Sequence, residues 1–189
     1  KEEKEMIIDK EIISKVEREY FFIKGRCPID AKYFIKQIEV GIKQADNKSY
    51  TTNVIGEMTD YKYFLNDKKF MKFFMPVLDL LDTQKFQDFS SYILKEAWGF
   101  KEGFTGYTKQ HQHLPAVLSG AVQLSNHEQM LEFPQINETL ESKPGNFAIF
   151  SSFLLHKNKR SVVDKPRYGL SFNIYNDFNK VFNKDTQGA

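Results

Sequence analysis

The spacing of apolar residues predicts helices in the first half of the chain. Between Asp30 and Gln44 the apolar positions recur every three or four residues, which is typical of an amphipathic helix with Asp30 as its N-cap. A second helical pattern begins near Asn66 and includes Pro76, a residue that is expected to kink or split a helix. A third short helix is predicted over residues 84–95.

From about Ala97 the pattern changes to short runs of β-branched and aromatic residues separated by Gly, Pro, Asn and Ser. The predicted strands in this half are residues 106–113, 116–124, 132–135, 146–150, 153–156 and 168–175. One earlier strand is predicted over residues 19–24, and the polar segment 45–60 is interpreted as a loop that has room for one short strand. Regularly spaced short strands indicate an antiparallel sandwich or barrel. The whole pattern predicts an α+β protein whose N-terminal helices pack outside a β core.

Composition narrows the possible classes of function. A chain of 189 residues has the size of one domain, and we predict a single domain over residues 1–189, helical to about residue 96 and β-rich from about 97 to 178. With 27 basic and 25 acidic residues the net charge is +2, so no nucleic-acid partner is indicated. No apolar run approaches the about 20 residues that span a membrane. One cysteine and no visible signal peptide favour a cytoplasmic location.

The four histidines are the candidates for metal or acid–base chemistry near neutral pH. His111 and His113 stand two residues apart, so on a strand both imidazoles project from the same face and can reach one metal ion. His156 follows an apolar run and supplies a third candidate ligand, whereas His127 lies in a predicted turn and is assigned to the surface. Imidazole binds Zn, Fe, Cu and Ni, so the ligand type does not choose the metal.

The predicted strand after His156 has two chemically different faces. Alternation places Arg167 and Ser171 on a polar face and Leu170 and Phe172 on an apolar face. A guanidinium is suited to bidentate capture of a carboxylate, and a nearby hydroxyl can donate a further hydrogen bond. If the polar face points into the barrel, it forms an anion pocket beside the candidate metal site; otherwise it is an ordinary solvated face.

Four segments together resemble the iron(II)- and 2-oxoglutarate-dependent oxygenases. They are residues 111–113 (HQH), 118–124 (LSGAVQL), 145–156 (GNFAIFSSFLLH) and 167–173 (RYGLSFN). The order and spacing are most similar to a branch of small members found in marine bacteria and phages, and the resemblance covers roughly residues 98–175. It implies a double-stranded β-helix, or jelly-roll, core and, for a phage-encoded chain, a location in the host cytoplasm.

The resemblance also implies roles for individual residues. His111, His113 and His156 would bind Fe(II), Arg167 would bind the far carboxylate of the cosubstrate 2-oxoglutarate, and Ser171 would assist it. The implied reaction converts 2-oxoglutarate and O₂ to succinate and CO₂ while a substrate is hydroxylated. The usual triad of the family contains two histidines and a carboxylate, and His113 stands at the carboxylate position. Either the site has three histidines, or Glu128 or Glu132 completes it.

Two other functions remain open at this point. Cupins share the jelly roll, the His-x-His strand and a later Pro-x-Gly segment before a histidine, which Pro144, Gly145 and His156 echo, so a metalloenzyme that does not use 2-oxoglutarate is the first. The second is a non-catalytic jelly-roll domain with a binding or structural role. The sequence indicates neither the substrate nor the oligomeric state. Residues 45–60 and 98–107 are candidates for a lid over the site.

Overall fold

The computed structural model describes residues 19–45, 52–84 and 92–176, and within these ranges the chain forms ten strands and two helices. The elements are β1 (Phe22–Arg26), α1 (Ala31–Gln44), β2 (Val54–Ile55), β3 (Glu57–Met58), α2 (Lys68–Gln84), β4 (Tyr92–Glu102), β5 (Tyr107–Thr108), β6 (Leu118–Gln123), β7 (His127–Phe133), β8 (Glu138–Ser142), β9 (Asn146–Ser151) and β10 (Arg167–Asn176). The predicted α+β class is confirmed. None of the described helices is long and apolar enough to cross a membrane.

The first helix forms where the apolar spacing predicts it. The Asp30 side chain accepts a hydrogen bond of 3.1 Å from the backbone N–H of Tyr33, which satisfies one of the free donors at the start of α1. Phe34 and Ile38 lie one turn apart and are both buried, so one stripe of the helix packs against the protein core.

The second helix runs without a break past its internal proline. Asp67 Oδ1 accepts a hydrogen bond of 2.8 Å from the N–H of Phe70 at its start. Pro76 does not split the helix, since α2 continues from Lys68 to Gln84. Phe74 and Val77, on either side of the proline, are buried in the same core. Packing on both sides of Pro76 therefore outweighs the lost backbone hydrogen bond.

A long strand replaces the predicted third helix. Residues 85–91 lie outside the described part of the chain, but residues 92–95 belong to β4, so the helix prediction is wrong there. The strand pairs with β10 along its whole length, and this long-range pairing overrides the local helical pattern. Residues 98–102, predicted as part of a lid, also lie in β4, and Trp98 and Phe100 are buried. The turn that follows is short, with Gly106 N–H donating to the carbonyl of Gly103.

The main sheet has six antiparallel strands in the order β1-β9-β6-β10-β4-β3. One face packs against α1 and α2, where Ile38, Phe70 and Phe172 belong to one buried cluster. The other face carries a second apolar cluster, which includes Phe133 of β7 and Phe150 of β9. The hairpin β7–β8 and the short pair β2–β5 form two further sheets. Side chains on the second face of the main sheet therefore lie inside the protein, and the sheet separates them from the two helices.

Candidate metal centre

Three of the four histidines meet in one cluster. His111, His113 and His156 each offer one ligand atom, and these atoms all lie within 4.8 Å of one another. The backbones of His111 and His156 pair directly, with N–H to carbonyl distances of 3.1 and 3.0 Å. The N–H of His113 donates to the carbonyl of Ser152 at 2.8 Å. Backbone hydrogen bonds therefore fix the positions of all three residues before any ion binds.

The ring hydrogen bonds orient two of these imidazoles. His111 Nδ1 lies 2.8 Å from the carbonyl oxygen of Lys109, and His156 Nδ1 lies 3.0 Å from that of Leu154. Because a carbonyl oxygen only accepts, both rings donate from Nδ1 and present an unprotonated Nε2 to the cluster. His113 Nε2 lies 3.1 Å from His156 Nε2. Both nitrogens therefore face the centre of the cluster, where one metal ion would be within reach of both.

Burial keeps the three imidazoles neutral. It lowers the pKa of His156 to about 3, with a further contribution from His111. Burial also holds the pKa of His113 well below its usual value, and the neighbouring His156 and His111 add to this effect. The pKa of His111 is lowered for the same reason, against the opposing hydrogen bond to Lys109. Neutral imidazole is the form that ligates metals, so no proton has to leave these rings at neutral pH.

Apolar and aromatic side chains surround the cluster. The His156 ring lies with its centroid 4.9 Å from that of Phe150 and 5.7 Å from that of Phe133. On another side, the His113 ring centroid lies 5.9 Å from that of Trp98. These rings limit the access of water, which strengthens electrostatic interactions within the site.

A buried ion pair lies beside the histidines. Arg167 and Glu102 are only 1% and 0% exposed, and Arg167 Nη1 donates to Glu102 Oε2 at 2.8 Å. The hydroxyl of Thr108 donates to Glu102 Oε1 at 2.5 Å, and Asn158 Nδ2 donates to Oε2 at 2.8 Å. The guanidinium also lies over the ring of Phe100, 5.0 Å from its centroid. The charge of Arg167 is therefore compensated within the protein.

A chain of hydrogen bonds leads from Arg167 to a buried amide. Arg167 Nε donates to Ser142 Oγ at 2.8 Å, and Ser142 Oγ donates to Gln123 Oε1 at 2.8 Å. Gln123 is 0% exposed, and its Nε2 has no hydrogen-bond acceptor among the described residues. One donor group of the interior is thus left free.

The three histidines, the guanidinium of Arg167 and the amide of Gln123 all border one narrow cavity of about 40 Å³. Its walls include side chains of His111, His113, His156, Trp98, Phe150, Gln123, Arg167 and Ser171. Because about 10–15 Å³ is the least space that holds one water, this cavity has room for only a few small molecules. Val54 of β2 and Thr108 of β5 also line it, so the short β2–β5 sheet forms part of its wall.

The fold is similar to those of several solved oxygenase structures. One is the viral collagen prolyl hydroxylase of Paramecium bursaria Chlorella virus-1 in its 2-oxoglutarate complex, with a TM-score of 0.59, 13% identity, and coverage of 83% of this chain and 96% of that one. A Pseudomonas putida prolyl-4-hydroxylase has a TM-score of 0.55 and 11% identity, with coverage of 82% of this chain and 92% of that one. HygX from Streptomyces hygroscopicus, with nickel and 2-oxoglutarate bound, has a TM-score of 0.53 and 8% identity, with coverage of 83% of both chains. Comparison with protein-family models and with curated protein sequences gives no match.

The chain has the double-stranded β-helix fold of the 2-oxoglutarate-dependent oxygenases. The predicted fold class is thereby confirmed. Within the double-stranded β-helix, Arg167 and Ser171 both line the cavity that the histidines border, on the inward face of β10. Leu170 and Phe172 point to the opposite face and lie in the core beneath the helices, as the alternation predicts.

The remaining candidates lie apart from the cluster. His127 begins β7, and its Nε2 lies 2.9 Å from the carbonyl of Lys165. Glu128 is exposed, and the carboxylate of Glu132 lies 3.3 Å from the ammonium of Lys159. Among the described residues the candidate metal ligands that meet are therefore histidines alone.

Sequence reasoning missed three polar residues of the double-stranded β-helix interior: Glu102, Gln123 and Ser142. Glu102 falls where the pattern predicts a loop, and Ser142 ends a strand, β8, that was not predicted. Gln123 offered a signal, because alternation along 118–124 sets it on the same face as Ala121. Ala121 and Gln123 both line the cavity.

Proposed function

We propose that the protein is an Fe(II)- and 2-oxoglutarate-dependent dioxygenase that hydroxylates a substrate still to be identified. One observation carries the proposal. Within the fold of these oxygenases, three imidazoles, one buried and two partly buried, converge on one point and share a cavity with a buried arginine. This arrangement combines a metal-binding group with a donor for a carboxylate.

His111, His113 and His156 would hold the metal in this proposal. Their ligand atoms lie close together and their rings are neutral, so the donor set fits a divalent transition metal. Three protein ligands leave open coordination positions for a cosubstrate and O₂. The metal would supply the redox chemistry in which one oxygen atom of O₂ enters succinate and the other enters the substrate, with release of CO₂. The aromatic wall formed by Phe133 and Phe150 would exclude water from that chemistry.

Arg167 and Ser171 would bind the carboxylate of 2-oxoglutarate that lies far from the metal. Both side chains line the cavity, and a guanidinium can donate to a carboxylate in addition to Glu102 because it carries five N–H groups. The donors suit the ligand, but a cavity of about 40 Å³ is smaller than 2-oxoglutarate. The walls must therefore move outward for binding.

The test of this function is anaerobic titration of the full chain with Fe(II) and then with 2-oxoglutarate. We expect the fluorescence of Trp98, the only tryptophan of the chain, to change at both steps, because this residue lines the cavity and its ring centroid lies 5.9 Å from that of His113. A visible absorption band should appear with 2-oxoglutarate but not with glutarate, which lacks the keto group that chelates the metal. Admission of O₂ should then produce succinate. Fe(II) binding without any response to 2-oxoglutarate would contradict the proposal.

One feature of the site favours a second candidate, a metal-dependent enzyme that does not use 2-oxoglutarate. The cluster holds three neutral histidines rather than two and a carboxylate, and Glu102 already compensates the charge of Arg167. A protein that binds Fe(II) but is indifferent to 2-oxoglutarate in the titration above would support this candidate.

We further infer that residues 1–189 act as one domain and that the protein works in the cytoplasm. The single cysteine, Cys27, is unpaired and partly buried, which is the usual state of a thiol in a reducing compartment. Proteolysis of the full chain that leaves one resistant core, rather than two, supports the single domain, and fractionation of cells that express it tests the location.

A further inference from the structure

We propose that Gln123 is a cosubstrate-binding residue whose side-chain amide donates a hydrogen bond to the far carboxylate of 2-oxoglutarate. This inference rests on the proposed function and adds a residue to it. It begins from the observation that Gln123 is 0% exposed, lines the cavity and keeps Nε2 without an acceptor among the described residues. A buried N–H group without a partner costs free energy, so a ligand that supplies an acceptor gains what the free protein lacks.

The hydrogen-bond chain fixes which end of the amide is free. Ser142 Oγ accepts from Arg167 Nε, so its single proton is available for Gln123 Oε1, 2.8 Å away. Rotation of the amide by half a turn would place the NH₂ group of Gln123 against the hydroxyl of Ser142. The Ser142 proton would then lose its acceptor. The oxygen of Gln123 is therefore held by Ser142, and its NH₂ group is the part that remains for a ligand.

The strand register sets Gln123 between the arginine and the metal cluster. Gln123 pairs with Gly169, which lies two residues from Arg167 in the direction of Ser171. Two residues along a strand correspond to about 7 Å. Ser171 in turn pairs with Trp98, whose ring contacts His113. A dicarboxylate that reaches from the histidines toward Arg167 therefore passes the amide of Gln123.

The charge distribution around Arg167 increases the expected contribution of the Gln123 amide to 2-oxoglutarate affinity. Arg167 is already neutralised by Glu102, so its attraction for a second carboxylate is reduced. No such competing acceptor occupies Gln123 Nε2 within the described structure. Hydrogen bonds to charged groups are stronger than those between neutral groups, and one buried donor is worth about tenfold or more in affinity.

The test compares Gln123→Met and Gln123→Glu with the parent protein, each as the full chain loaded with Ni(II) to prevent turnover. Calorimetry measures the Kd of 2-oxoglutarate, of pyruvate and of Ni(II). Gln123→Met should weaken 2-oxoglutarate binding about tenfold or more and leave pyruvate, which has no far carboxylate, and Ni(II) unchanged. Gln123→Glu has nearly the same shape but adds a negative charge, so it should weaken 2-oxoglutarate binding further. It also keeps the test informative if the Met variant does not fold.

Gln129→Met is the matched control. Gln129 is also a buried glutamine, but its Nε2 donates to the carbonyls of Gly106 and Lys159, and it does not line the cavity. Its replacement should leave the Kd of 2-oxoglutarate unchanged. An unchanged Kd in both Gln123 variants, or an equal loss for pyruvate, would overturn the role of Gln123 while the proposed function stands. A parent protein that binds Ni(II) but not 2-oxoglutarate would overturn both.

Discussion

Arg167 and Glu102 face each other across neighbouring strands, and their side chains form an ion pair of 2.8 Å that is hidden from solvent. Two further donors, Thr108 and Asn158, complete the shell of the carboxylate. A charge in such a place is tolerated only because its partner is present. The pair is thus a structural element of the interior, and Arg167 is also part of the wall of the candidate site.

Removal of one charge from this pair is expected to destabilise the protein strongly. Glu102→Gln keeps the shape but leaves Arg167 as an uncompensated buried cation, so the free energy of unfolding should fall by about 3–5 kcal/mol. Denaturation with urea measures the loss. Glu138→Gln breaks the exposed pair of Lys24 and Glu138 and should leave the midpoint unchanged. Equal effects of the two substitutions would contradict the interpretation.

Removal of both charges should recover part of this loss. In a protein that carries Glu102→Gln together with Arg167→Met, no unpaired ion remains in the interior. We therefore expect the double variant to be more stable than the Glu102→Gln single variant, with a coupling energy above about 1 kcal/mol in a double-mutant cycle. Additive losses would mean that the two side chains act independently.

Loss of the most buried histidine should abolish metal binding. His156 is 4% exposed, pairs with His111 through its backbone and presents Nε2 to the cluster. His156→Ala should therefore prevent the change in Trp98 fluorescence on addition of Ni(II), while the circular dichroism spectrum stays that of a folded protein. His127→Ala, outside the cluster, is the control and should bind Ni(II) normally. Retained binding in the His156 variant would exclude this residue as a ligand.

The single cysteine should react slowly with alkylating reagents. Burial raises the pKa of Cys27 to about 11, so at pH 8 far less of it is thiolate than in an ordinary cysteine. The rate of modification by iodoacetamide should be roughly a hundredfold below that of a free thiol at pH 8 and should rise with pH beyond 9. Since the folded pKa exceeds the unfolded value, the contribution of this thiol to stability is present at neutral pH and is lost as pH rises toward 11. A rate at pH 8 equal to that of glutathione would contradict the prediction.

Replacement of a glycine of β4 by a larger residue should destabilise the protein, because Ile38 of α1 packs directly against it. A Cβ atom on Gly99 would lie 2.3 Å from Cγ1 of Ile38, so the helix would have to move away from the sheet. Gly99→Ala should lower the free energy of unfolding by about 1–3 kcal/mol. Gly103→Ala is the control, since a Cβ there meets no atom within 4 Å. Thermal denaturation that shifts both variants equally would show that packing against Ile38 is not the cause.

Local patterns were sufficient for part of the fold and for the histidines. The 3.6-residue period predicted α1, and the two-residue period along β10 separated Arg167 and Ser171 from the core residues. His111 and His113 were found by spacing alone. These features depend on residues that are near one another in sequence, so a short sequence window is enough to predict them.

Long-range pairing accounts for what the sequence did not indicate. Residues 92–95 have a pattern that also suits a helix, and only the partner strand β10 makes them extended. Glu102 lies in a segment whose local pattern predicts a loop. Its burial depends on the ion pair with Arg167, which is 65 positions later in the chain. The partners of Gln123 and Ser142 likewise follow from strand order and register, which no local window contains.

The close approach of His113 and His156 has a consequence for stability. His113 and His156, the two residues whose ring nitrogens lie 3.1 Å apart, are 43 positions apart in the chain. An ion that binds both would hold two distant parts of the chain together, and because the unfolded chain does not present this site, the ion would stabilise the folded state by an amount set by its affinity and free concentration. A chelator would then lower the free energy of unfolding by removing the ion, without touching any other contact.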